Sequence, residues 1–132
     1  MLDAMAADTS TTYYIDVGSV PESAGGGMTR IQQPSLSFWD RLMGRSAPPV
    51  TVIMTVDSAS QVQFMDTSGR SFTPSTERLM AHELGHGYTY LSGGYMGYRT
   101  NYDAAIGYEN QIARQLNPAA PTRAVSDHGR GP

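Results

Sequence analysis

The 132-residue chain contains no cysteine and no lysine. Without thiols it can form neither a disulfide framework nor a thiolate metal site, so a transition metal must be held by histidine and carboxylate. Its nine basic residues are all arginines, against twelve acidic ones, giving a formal charge of −3 and a pI near 5.4. That balance argues against nucleic-acid binding, or anionic-membrane binding, through a broadly basic surface. No apolar run is long enough to insert across a bilayer. The opening "MLDAMAADTSTTYY" has no basic region followed by an apolar one, so it is not a classical signal peptide. Export would need another route. Residues 1–11 read as a flexible N-terminal segment or a linker to a longer chain, and 12–132 as one domain with a single modest core.

What is present reads as strands first and helices after. "TYYIDVGSV" (12–20) is β-branched and aromatic enough for a strand, and "PESAGGGM" (21–28) breaks it as a loop. "LSFWDRLMG" (36–44) suits a short helix with Leu36, Trp39, Leu42 and Met43 along one side. "PVTVIMTVD" (49–57) is a strand on which Val50, Val52, Met54 and Val56 alternate. "SQVQFMD" (60–66) is its expected partner, and "TSGRSF" (67–72) a turn. A helix is expected from Thr73 as N-cap and Pro74 at its first position to about Leu91. A second, "NYDAAIGYENQIARQLN" (101–117), is capped by Asn101, and an irregular Pro/Gly-rich tail follows. This order gives an α+β domain with a small antiparallel or mixed sheet.

The first helix carries His82-Glu83-Leu84-Gly85-His86. Histidines at i and i+4 share a helix face, so both imidazoles can converge on one metal. Zinc accepts nitrogen and oxygen donors, and a catalytic site uses three protein ligands and a water. Glu83 stands beside the metal position, where it can take a proton from the bound water and later deliver it to a leaving amine. Gly85 and Gly87 weaken the helix, which is reasonable where another group packs closely.

The third ligand must come from elsewhere. His128 is the one remaining histidine, and the carboxylates after His86 are Asp103, Glu109 and Asp127. Glu109 lies on the stripe Ala105, Glu109, Ile112, Ala113 and Leu116. A carboxylate on an apolar stripe is costly to bury without a partner. Zinc is one such partner, and a salt bridge with Arg114 or Arg99 is another. Asp103, near the helix start, is either a charge favoured by the helix dipole or an acceptor that orients His82 or His86. A donor for the developing oxyanion is also needed. His128, Arg123 and a tyrosine of the 88–108 cluster, such as Tyr98, are candidates. Peptide substrate could add to a sheet edge, with 61–65 favoured over 50–56 because Gln61 and Gln63 suit a solvated strand.

"HELGHGY" followed by "AAIGYENQIARQLNPAAPTR" resembles the gluzincin-type zinc metallopeptidases found among secreted bacterial effectors and polymorphic-toxin domains. The matching positions are His82, Glu83, His86, Gly107, Glu109, Asn110, Pro121 and Arg123, with Arg114 shifted by one residue from the common spacing. The likeness covers about residues 75–125. It implies a minimal zincin-like fold and a Zn2+-dependent endopeptidase with His82, His86 and Glu109 on the metal and Glu83 as base. It also implies delivery into a target cell by a specialised secretion system, a protein or peptide substrate, and a cognate immunity protein. Two other readings remain: a zinc hydrolase of cell-wall peptide or another amide, and a non-catalytic zinc-binding module.

Overall fold

Residues 50–56 alternate valine and methionine with threonine and isoleucine, and they form the central strand of the computed structural model, which describes residues 1–93 and 98–127. This strand, β3 (Val50–Val56), pairs in parallel with β1 (Thr11–Val17) and antiparallel with β2 (Gly27–Gln32). The result is a small mixed sheet in the order β1-β3-β2. Val52, Met54 and Val56 point to one face and are fully buried there. Helix α1 (Leu2–Ala7) precedes the sheet, and a short helix α2 (Phe38–Leu42) lies between β2 and β3. After the sheet come a two-strand ladder of β4 (Phe64–Met65) with β5 (Ser71–Phe72), then α3 (Thr76–Gly93) and α4 (Tyr98–Leu116). The architecture is α+β. No helix among the described residues is long and apolar enough to cross a membrane.

Four local expectations need correction. Residues 2–7 form a helix rather than a flexible linker, because Met5 is buried beside Met54 and Val52. The segment 27–32, which follows the glycine run, is an edge strand and not the end of a loop. Only Phe64 and Met65 of segment 60–66 are in a strand, and they pair with β5 instead of the main sheet. Helix α3 starts at Thr76, where the carbonyl of Ser75 accepts from Leu79 N–H, so Ser75 takes the place expected for Thr73.

Two glycines of the motif let α3 sit between sheet and helix. A Cβ on Gly87 would lie 2.9 Å from Met54 Sδ and 3.3 Å from Met5 Cε, so the helix rests directly on β3 and α1. A Cβ on Gly85 would lie 2.9 Å from the Cα of Ala105, on α4. Backbone cannot swing away as a side-chain tip can. Gly85→Ala is therefore expected to lose about 1–3 kcal/mol by overpacking, despite a better helix propensity. Gly107→Ala, which meets open space on α4, is expected to gain up to about 1 kcal/mol. Denaturant midpoints of the two variants should move in opposite directions.

Candidate metal centre

One turn of α3 supplies His82, Glu83 and His86, all directed into the protein. His82 and Glu83 are buried, and His86 is close to it. One ligand atom from each of the three lies within 4.8 Å of the others. The Nε2 atoms of His82 and His86 face one another at 3.1 Å, and the rings meet edge to face.

The other nitrogen of each ring is held by an acceptor. His82 Nδ1–H donates to Glu109 Oε2 (3.0 Å), and His86 Nδ1–H donates to Asn101 Oδ1 on α4. Because a carboxylate and an amide oxygen only accept, each Nδ1 carries a proton and each ring turns its Nε2 towards the other. Two ring nitrogens placed this way can serve one cation. Nitrogens on a tetrahedral zinc stand about 3.3 Å apart given Zn–N bonds near 2.0–2.1 Å. The two nitrogens therefore fit two corners of a zinc tetrahedron, and Glu83 is the third group of the cluster found among the described residues. Burial, with the neighbouring His82, lowers the His86 pKa to about 4, so its ring is neutral at pH 7 and able to ligate.

Glu109 is not placed as a ligand, contrary to expectation. It is fully buried behind His82, on the Nδ1 side of the ring and away from Nε2. Arg78 Nε–H donates to Oε1 (2.6 Å), and Arg123 Nη1–H joins His82 on Oε2 (2.9 Å). Glu109 is in a salt bridge, but with Arg78 and Arg123 and not with Arg114, which is exposed on α4 with its Nε–H on the Asn110 carbonyl; the Arg99 side chain lies outside the described residues. Asn110 ties the same group together. Its Oδ1 accepts from Arg78 Nη2 (2.9 Å) and Arg123 N–H (2.7 Å), while its Nδ2 donates to the Arg123 carbonyl (3.0 Å). Arg78 Nη1 reaches the Pro121 carbonyl (2.7 Å). The tail is brought in by backbone pairing, with Ala124 N–H on Met65 O and Thr67 N–H on Thr122 O.

Burial alone would raise the Glu109 pKa, but the His82 hydrogen bond and the two arginines outweigh it and hold it at about 2. A folded-state pKa below the ordinary 4.5 stabilises the fold fully above that value and progressively less as pH falls towards 2. The contribution is roughly 3 kcal/mol. Denaturation of the metal-free protein should show this acid limb, and Glu109→Gln should make it shallower.

Glu83 is positioned from the sheet. Thr29 Oγ1–H on β2 donates to Glu83 Oε2 (2.6 Å), and a Cβ on Gly27 would sit 2.5 Å from Oε1. Burial pushes the Glu83 carboxyl up from the ordinary value, which makes it a better proton acceptor. Beside this strand a groove of about 490 Å³ is lined by Thr29, Ile31, Gln33 and Tyr90.

The other expected residues fall elsewhere. Asp103 faces solvent; the orienting roles considered for it belong to Glu109 and Asn101. Arg123 is engaged with Glu109, Asp127 and the face of Phe64, so it acts as an anchor and not as an oxyanion donor. His128 and the Tyr98 side chain lie outside the described residues. Tyr102 packs edge-on against the His86 ring at 5.3 Å, and Tyr88 against Tyr108. Thr29 and Arg78 were not singled out from sequence. Arg78 did carry a signal, since it stands four residues before His82 and so on the same helix face. Comparison of the chain with family models, curated proteins and solved structures gives no match.

Proposed function

We propose that the protein is a zinc-dependent endopeptidase of zincin type in which His82 and His86 hold the metal and Glu83 is the general base and acid. The observation that carries this reading is the opposed pair of Nε2 atoms at 3.1 Å, each ring locked from behind, with a buried carboxylate alongside. When bound, zinc lowers the pKa of a coordinated water to about 7 and polarises the scissile carbonyl. Glu83 takes the water's proton and passes it to the departing amine. Thr29 holds the carboxylate, and Glu109 and Asn101 hold the two imidazoles. An extended peptide would lie along the free edge of β2, next to Glu83, and not along 61–65, of which only Phe64 and Met65 are in a strand and pair in a separate ladder. The wider setting proposed is that of a secreted bacterial effector or toxin domain acting on target-cell protein, with an immunity protein as a second partner.

The test is incubation of zinc-loaded protein with an unfolded protein and, separately, with purified peptidoglycan. Cleavage of the protein that stops with chelator and returns with zinc supports the reading. Cleavage confined to peptidoglycan would change the substrate class. Zinc-loaded protein that cleaves no amide would overturn the enzymatic assignment.

A further inference from the structure

Residues 33–49 leave the sheet between β2 and β3 as an excursion that is exposed almost throughout. At its tip, on α2, Phe38, Trp39, Leu42 and Met43 are between 63 and 72% exposed. They fall at i, i+1, i+4 and i+5, on one side of a single helical turn. The phenyl and indole rings meet edge to face with centroids 5.6 Å apart.

The turn is held by its own polar links, not by packing. Ser37 Oγ accepts from Asp40 N–H (3.1 Å) and donates to Asp40 Oδ2 (2.6 Å). Arg45 Nη1 pairs with Asp40 Oδ1 at 3.1 Å, and Gly44 reverses the chain with φ of +65°. Four large apolar side chains are thus displayed on a built support. Burying each would be worth about 1.5–3 kcal/mol.

Charge indicates what the tip meets. The chain is acidic overall, yet from 30 to 45 Arg30, Arg41 and Arg45 stand against Asp40 alone; Arg45 pairs with Asp40, which leaves Arg30 on β2 and Arg41 on α2 as the excess cations. An aromatic pair with aliphatic neighbours and the Arg41 cation on the same turn matches the headgroup boundary of an anionic bilayer. One turn is too short to fill the groove of a protein partner, which is read by anchors spread to i+7.

We propose that α2 is a shallow membrane-docking element that seats Phe38, Trp39, Leu42 and Met43 at the surface of anionic lipid. It does not span the bilayer. Since β2 leads directly into this excursion, docking would also set how the groove beside Glu83 is presented to the surface, although the proposal does not depend on hydrolysis.

Trp39 is the only tryptophan in the chain, so its emission reports on the tip directly. Titration of the full chain with phosphatidylserine–phosphatidylcholine vesicles should give a saturable blue shift, weaker with phosphatidylcholine alone and weaker in high salt. Arg41→Gln should reduce partitioning about fivefold, and Leu42→Ser about tenfold, with unchanged circular dichroism. Three results would overturn the proposal. One is unchanged Trp39 emission at saturating anionic lipid. Another is full partitioning of Leu42→Ser. The third is a blue shift that appears without lipid and grows with protein concentration, which would show a second copy covering the tip.

Discussion

Glu109→Ala is expected to lower the thermal midpoint of the metal-free protein by about 10 °C or more. The substitution leaves Arg78, Arg123 and the Nδ1–H of His82 without the carboxylate that pairs them. Removing one partner from a buried ionic group costs about 3–5 kcal/mol, a large share of the 5–15 kcal/mol typical of a whole domain. Glu109→Gln keeps the shape but loses the charge, so it should be intermediate. The measurement separates two roles. A ligand could be removed with little effect on the metal-free fold and a large effect on zinc binding. An anchor cannot, because its partners are charged whether or not a metal is bound. An unaltered metal-free midpoint in Glu109→Ala would return the residue to the ligand set.

Glu83→Gln is expected to lower peptide hydrolysis about 10²–10⁴-fold while zinc content and fold are kept. Glutamine preserves an oxygen for the Thr29 hydroxyl and fits the space left by Gly27. It has no basic oxygen for the proton of the attacking water. Loss of zinc in this variant would make Glu83 a ligand and not the base, and undiminished hydrolysis would remove it from the mechanism.

The helix that carries His82, Glu83 and His86 was legible because its chemistry and its periodicity coincide within five residues. Gly85 and Gly87 were also readable as points of close approach, and each is one, against Ala105 and Met54 respectively. The central strand was legible for a similar reason, with alternating β-branched residues over a whole strand length. β2 was not. Its first residue is glycine because Glu83 occupies the space a side chain would need, a tertiary cause that looks locally like a chain break. Glu109 was legible as a buried carboxylate that requires a partner, but the partner's identity was not. The competing cations sit on another helix and in the tail, and only the fold shows that Arg78 and Arg123 arrive first. Asn101 reads locally as a helix cap, whereas its contact with His86 depends on the packing of α4 against α3.

The central claim is that His82 and His86 share a zinc ion, and metal analysis tests it most directly. Wild-type protein, loaded with zinc and dialysed, should retain the metal stoichiometrically, and His86→Ala should retain none while staying folded. Wild-type protein that keeps no zinc, or a His86→Ala variant that keeps as much as wild type, would contradict it.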